Sequence, residues 1–331
     1  MVENTLAAFS QCGQPEQVLE LNSAPVREPK AGEILVRMLA APINPADINF
    51  IQGVYGLKPG FPDATAGMEG CGVVEETRSP AFLPGDQVIL LHGIGTWAKY
   101  LTASADRFLK LQVPVDPAQA AMLKINPPTA YRLLTGYREL HRGDWLVQNA
   151  ANSGVGRYVM QLARLLGFKT INMVRRADRW AEELRTLGAD VVVGEDDPQA
   201  VGQVLAALGG TRPLLGLNAV GGESAIRLME VLGDGGTLVT YGAMSKQSLK
   251  VPNRFLIFKG LELKGLWITA WLQQQSRGDI EQLYDRLAGW MAKGALHQPI
   301  DATYPLAQVT AAVTRAQEAY RNGKVMLRLD Q

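Results

Sequence analysis

Cysteine and histidine are scarce in this chain: Cys12 and Cys71 are the two cysteines, and His92, His141 and His297 the three histidines, in 331 residues. Two thiols build neither a disulfide framework nor a four-cysteine zinc lobe, and they fit a reducing compartment. Lone histidines so scattered are ordinarily surface or core residues rather than metal ligands. No apolar run approaches the roughly 20 residues that cross a bilayer. The net charge of +1 leaves no excess for general nucleic-acid or membrane-surface binding. The N-terminal segment, with Glu3 and no arginine cluster, lacks the marks of a secretory signal or transit peptide, so the expected location is cytoplasmic. There are neither solenoid-type repeats nor low-complexity tracts.

The residues that are present are 47% hydrophobic, enough for sizeable cores in two domains. The most informative stretch runs from Asp144 to Asp178. The apolar run Trp145, Leu146, Val147 reads as a strand buried on both faces. A small-residue turn follows, Asn149 to Gly156. Apolar residues at helical spacing (Val159, Met160, Leu162, Ala163, Leu165, Leu166) then end at Gly167, a C-cap. A second buried strand, Thr170 to Val174, leads into Arg175 and Arg176.

Strand, turn, helix and strand in this order predict the phosphate-binding half of a dinucleotide fold. Against the GxGxxG template, Ala151 takes the first glycine, Ser153 the second, and Gly156 keeps the third. Small residues admit the pyrophosphate to the backbone, and the helix N-terminus offers N–H donors and the positive end of its dipole. A carboxylate at the end of the second strand would select NAD; Arg175 and Arg176 stand there and suit a 2′-phosphate, hence NADPH.

Up to residue 116 the chain reads as short strands with turn punctuation: Glu33 to Met38, Gly67 to Val74, Gln87 to Leu91 and Thr96 to Thr102. Between the first two, Asn44 is placed to cap a helical turn with Pro45 at its first position. A glycine-rich loop, Gly53-Val54-Tyr55-Gly56, follows. From 117 to 270 helical and strand patterns alternate, which predicts a parallel sheet with ligands at the carboxyl ends of its strands. Its later strands are read at Val191 to Val193, Leu214 to Leu217, Thr237 to Tyr241 and Leu261 to Trp267. Residues 271–331 (helices Ile280 to Lys293 and Ala307 to Tyr320, strands Ala302 to Tyr304 and Lys324 to Leu329) are expected to return to the first domain.

Several motifs resemble the medium-chain dehydrogenase/reductase superfamily, and within it the NADPH-dependent 2-enoyl thioester reductases. They are Asn44-Pro45-Ala46-Asp47, Gly53-Val54-Tyr55, Gly67 to Val74, Gly95-Thr96-Trp97, Asn126-Pro127 with Thr129 to Tyr131, the Asn149 to Gly156 turn, Thr240 to Met244, and Gly265-Leu266-Trp267. The resemblance spans nearly the whole chain. It implies a Rossmann doubly wound parallel-sheet domain at 117–270 joined to a largely β, GroES-like catalytic domain at 1–116, together an α/β protein. Zinc-dependent members of the superfamily have a cysteine near Asn44 and a histidine where Met68 stands, so this chain is expected to use no metal.

Without a metal, hydride addition to the β-carbon of an enoyl thioester leaves charge on the carbonyl oxygen that needs hydrogen-bond donors, and an α-carbon that needs a proton. A phenol is protonated at neutral pH and can serve both needs. The resemblance assigns that role to Tyr55, in a catalytic set with Asn44 and Trp97. Trp97, Trp267 and Trp271 are candidate walls of an acyl pocket, or core aromatics. Cofactor positions carry over to Asn126, to Asn152, Ser153, Gly154 and Val155, and to Arg175. Where relatives often have an acidic and then a basic residue, Arg176 and Ala177 stand, a departure that can move the phosphate contact to Arg176. Tyr241, Gly242, Ala243 and Met244 are assigned to the nicotinamide ribose, Leu266, Trp267, Ile268 and Thr269 to the nicotinamide, and Lys324 to the cofactor. The alternatives are an NADPH-dependent quinone or alkenal reductase and a non-catalytic NADPH-binding sensor. The expected partners are an acyl thioester on CoA or acyl carrier protein and a second copy of the chain, with neither nucleic acid nor membrane.

Overall fold

The computed structural model describes residues 2–319 and 321–330. The chain divides into two compact units, Met1–Ile125 with Arg277–Gln331, and Asn126–Ser276.

The first unit is built on a seven-stranded sheet and a three-stranded sheet. Along the larger sheet the order is Ile300–Pro305, Lys324–Arg328, Glu33–Pro42, Cys71–Thr77, Gln87–Leu90 and Phe108–Lys110, with Tyr100–Ser104 also pairing on Glu33–Pro42. The pairing is antiparallel except between Ile300–Pro305 and Lys324–Arg328. The C-terminal segment is therefore part of this sheet. Ile34, Val36 and Met38 alternate inward along the central strand, where Phe9, Phe50, Trp97 and Phe108 complete the buried core.

The second unit carries a six-stranded parallel sheet in the order Val191–Gly194, Lys169–Val174, Trp145–Gln148, Leu215–Asn218, Thr237–Thr240, Glu262–Gly265. Numbered along the chain this is 3-2-1-4-5-6, the doubly wound order whose ligand crevice opens where strands one and four part. The α/β expectation of a parallel Rossmann-type sheet beside a mostly β unit holds. The helix Gly154–Leu166 starts because Ser153 Oγ accepts from the N–H of Gly156 at 3.2 Å and stops at Gly167, whose φ of 84° few other residues tolerate. Its face of Tyr158, Val159, Met160, Leu162 and Ala163 is wholly buried.

Four readings differ from the structure. The units part at 125/126 and 276/277 rather than 116/117 and 270/271. The short helix Pro117–Ala121 stays with the first unit because Gln119 exchanges two 3.0 Å hydrogen bonds with the backbone of Gln298. Trp271 stays with the second, its ring 5.2 Å from the Arg132 guanidinium. Gly67 to Gly70 form no strand: pairing begins at Cys71, and the side chains of Thr96 and Trp97 sit where a Gly67 Cβ would be. Thr96 and Trp97 themselves precede their strand, which is Tyr100–Ser104. The last helix runs over Val309–Gln317 after a 3-10 turn at Leu306–Gln308, and Tyr320 lies outside the described residues.

Candidate functional site

In the second unit the carboxyl ends of the first and fourth strands are clamped by asparagine. Asn149 Nδ2 donates to Asn218 Oδ1 at 2.8 Å and to Ser224 Oγ at 2.7 Å, and Asn149 Oδ1 accepts from the Ala219 N–H at 2.7 Å. Asn218 Oδ1 also receives the N–H groups of Val220 and Gly221. The clamp fixes the two loops at the switch point and leaves Asn152, Ser153, Gly154 and Val155 as a half-exposed row at the helix N-terminus. The first N–H groups of any helix lack intrahelical acceptors. A Cβ on Gly156 would come within 2.5 Å of the Ala151 carbonyl oxygen, so glycine allows the helix to sit tightly on the turn. From behind, the buried Arg157 donates to the Asn152 carbonyl at 3.0 Å and pairs with Glu183.

Arg175 and Arg176 follow the second strand and are both exposed, Arg176 with a left-handed φ of 56°. Tyr241 to Met244 lie beside the loop after the fourth strand: Tyr241 N–H reaches the Asn218 carbonyl at 3.0 Å, Met244 N–H that of Ala219 at 3.0 Å. Gly242 packs so closely that a Cβ would meet the Ala219 oxygen at 2.9 Å. Leu266 continues the edge strand through its N–H to Thr240 at 3.0 Å, and Trp267 N-caps the helix Ile268–Gln273, which contains Thr269. Leu261 to Trp267 is thus a strand only at Glu262–Gly265.

Among the buried polar atoms of this unit without a hydrogen-bond partner are the Asn126 amide nitrogen, at the start of the helix Asn126–Thr135, and the Tyr241 hydroxyl, which faces Ser153 without an aligned bond. Burial raises the Tyr241 phenol above its usual range, so it stays protonated. Orphaned donors, small-residue turn, helix N-terminus and paired exposed arginines fit a phosphorylated nicotinamide dinucleotide.

In the first unit Asn44 precedes the helix Pro45–Ile51. The Asp47 carboxylate accepts from Asn44 N–H at 2.8 Å and from Met68 N–H at 2.9 Å. The Asn44 amide turns elsewhere: its nitrogen donates to Glu69 Oε1 at 2.7 Å, and its oxygen accepts from Lys324 Nζ. The other Glu69 oxygen accepts from Ile125 N–H at 2.9 Å, and Lys124 Nζ donates to the Met68 carbonyl. Lys324 is therefore not a solvated lysine; it is buried, and burial lowers its pKa against the pull of Glu69. Burial pushes the Asp47 carboxyl up to about 7 and raises that of Glu69 as well.

Tyr55 follows on the loop after that helix. Gly53 N–H reaches Phe50 O at 3.0 Å, Val54 N–H reaches Asn49 O at 2.9 Å, and Lys58 Nζ reaches Gly53 O at 2.8 Å. The phenol ring is half-buried against the core. Of the two readings of Trp97, pocket wall or core aromatic, the structure favours the second: it is fully buried, its indole N–H directed at the Pro42 carbonyl. Trp267 is 44% exposed, whereas Trp271 is half-buried beside Arg132. Sequence reasoning missed Asp47, Glu69, Lys124, Asn149, Arg157 and Asn218. The one local signal was their polarity inside apolar runs, as at Glu69 between Met68 and Cys71.

Residues 30–113 match the alcohol dehydrogenase GroES-like domain family, and residues 154–288 the zinc-binding dehydrogenase family. Over 96% of this chain and 93% of the relative, the sequence is 39% identical to the mitochondrial enoyl-[acyl-carrier-protein] reductase of Xenopus tropicalis. The chain belongs to the enoyl-[acyl-carrier-protein] reductase family. The human mitochondrial member of this family is 37% identical over 96% of the chain and 87% of its own length. Among solved structures, the Etr1p/NADP/crotonyl-CoA complex superposes with a TM-score of 0.91 at 28% identity, over 99% of this chain and 100% of that one. A Bacillus thuringiensis protein assigned as an NADPH:quinone reductase superposes with 0.90 at 29% identity, over 99% of both chains. Despite the zinc in one family name, among the described residues no group of three or more His, Cys, Asp or Glu is placed to hold a metal ion. At the positions where zinc-dependent members would have ligands, Asn44 is bonded to Glu69 and Lys324, and Met68 gives its backbone N–H to Asp47.

Proposed function

We propose that this member of the enoyl-[acyl-carrier-protein] reductase family reduces the C2–C3 double bond of trans-2-enoyl thioesters with NADPH. The observation that carries the reading is the near end-to-end likeness to enoyl-[acyl-carrier-protein] reductases of a chain that has a half-buried phenol at Tyr55. NADPH, when bound, supplies the hydride for the β-carbon. Asn152 to Val155 and the helix N-terminus hold its pyrophosphate, Arg175 and Arg176 its 2′-phosphate, and Tyr241 to Met244 with Leu266 to Thr269 its nicotinamide end. Asn126 gives its unpaired amide to the cofactor, and Lys324 serves it through Asn44. Tyr55 donates to the thioester oxygen as charge builds there and delivers the α-proton. The unit formed by Asn126–Ser276 is thus the cofactor domain, and the other the catalytic domain.

The substrate is carried on CoA or on acyl carrier protein, and the protein is a homodimer joined along the edge strand Glu262–Gly265. Leu256, Ile257 and Phe258, exposed by 44%, 69% and 80%, support that edge as the interface. No described helix is long and apolar enough to cross a membrane. The relatives are mitochondrial by name.

The likeness to an NADPH:quinone reductase supports a second reading, a quinone or alkenal reductase on the same cofactor. Purified protein with NADPH and a panel of enoyl-CoAs, enals and quinones separates the two. The proposal expects kcat/KM for crotonyl- or longer enoyl-CoA to exceed that for any quinone by at least about 100-fold, roughly 3 kcal/mol of transition-state discrimination. Comparable turnover of quinones and free enals would refute the thioester assignment. An absence of all turnover would leave the sensor reading.

A further inference from the structure

Glu69 has no solvent-exposed surface and lies in neither of the two proposed contact sets, yet each of its carboxylate oxygens is committed. Oε1 takes the side-chain amide of Asn44, 2.7 Å away, and Oε2 the backbone N–H of Ile125, 2.9 Å away. Asn44 opens the short helix that leads directly into the Tyr55 loop. Ile125 is the last residue of the first unit, one residue before Asn126 with its unpartnered amide. One buried side chain thus bonds both the residue that opens the Tyr55-bearing segment and the residue from which the chain enters the second unit.

The surroundings reinforce this. Lys124 Nζ holds the Met68 carbonyl, and the carbonyl of Lys124 accepts from Tyr284 Oη at 2.8 Å. Lys324, on the last strand, reaches Asn44 from 280 residues away. Asp47 fastens Asn44 and Met68 through their N–H groups. Burying a carboxylate costs several kcal/mol unless it is charge-balanced and hydrogen-bonded, and packed apolar side chains would stabilise such a core at least as well. Stability alone therefore does not account for a carboxylate at this position.

We propose that Glu69 is a positioning residue for the reduction: its two oxygens register Asn44, and through it the Tyr55 loop, with the Lys124–Ile125 segment that precedes Asn126. The inference rests on the proposed enoyl thioester reduction. The span between the two acceptor atoms matters as much as the charge. Aspartate keeps the negative charge opposite Lys124 and Lys324 but is one methylene shorter and does not reach both partners.

Glu69→Asp is the decisive variant, with Glu69→Gln beside it. For each, the measurements are the melting temperature, the NADPH dissociation constant by fluorescence, amide hydrogen exchange at Ile125, and kcat with crotonyl-CoA, alone and combined with Tyr55→Phe. Glu69→Asp is expected to melt within about 5 °C of the parent. It should exchange Ile125 N–H faster, bind NADPH several-fold more weakly, and lose kcat by roughly 10- to 100-fold, the scale of a small misplacement. Its effect on kcat should nearly vanish in the Tyr55→Phe background, because residues that act through one another are not additive. Parental kcat and exchange in folded Glu69→Asp would overturn the proposal, as would losses that add fully to those of Tyr55→Phe. A parent that leaves enoyl thioesters unreduced is a different failure, that of the substrate reading, and Ile125 exchange still reports on Glu69.

Discussion

At the scale of single residues, the proposed reduction puts its chemical burden on Tyr55. A phenylalanine there keeps the ring that packs on the core and deletes only the proton donor. Tyr55→Phe is expected to lower turnover of crotonyl-CoA by about 10²- to 10⁴-fold, the usual worth of a general acid, with NADPH binding nearly unchanged. Equal loss of NADPH affinity would assign the residue a structural role. Asp47 makes a second prediction. Burial lifts its pKa from 3.8 to about 7, so between those values the folded chain keeps a proton that the unfolded chain has released. Stability contributed by this group is full below about pH 4 and falls as pH rises to about 7, and Glu69, also raised, acts in the same direction. Urea unfolding at pH 5 and pH 7.5 should therefore show a smaller decline in Asp47→Asn than in the parent. An unchanged decline would mean that Asp47 is ionised throughout.

Among the elements, the strand–turn–helix–strand unit from Trp145 to Val174 was legible because its signals are local: an apolar run, small residues at fixed offsets, helical periodicity and a glycine stop. That the later strands join a parallel sheet follows from the same alternation, whereas their order does not. What holds the turn in place was not legible. The Asn149–Asn218 clamp joins residues 69 apart, and Lys324 meets Asn44 across 280 residues. No short-range pattern marks such pairs, and Asn, Glu and Lys ordinarily suggest surface. Trp97 stays open in the sequence for a related reason, since such an aromatic suits a pocket wall and a core equally well. The arginines after the second strand lead to a prediction at this scale. Replacing Arg175 and Arg176 together with alanine should raise the KM for NADPH by about 10- to 100-fold, the worth of one or two charge-assisted hydrogen bonds, and barely alter that for NADH. A parallel rise for both cofactors would remove the 2′-phosphate from the account.

Across the whole molecule, the chain crosses from one unit to the other at 125/126 and 276/277, and the segments on the first unit's side of both crossings are tied down within that unit. Lys124 and Ile125 are held by Met68 and Glu69. Arg277 donates to the carbonyls of Asp106 and Phe108, and Tyr284 to that of Lys124. The proposed reduction divides its labour between these units: a hydride from the NADPH held by Asn126–Ser276, and a proton from Tyr55 in the other unit. Isotopic labelling tests that division directly. Crotonyl-CoA is reduced once with NADPH deuterated at the transferred C4 position and once with ordinary NADPH in D₂O, and the butyryl product is read by mass spectrometry and NMR. The account predicts cofactor deuterium at C3 and solvent deuterium at C2. Cofactor deuterium at C2, or none of it in the product, would contradict it.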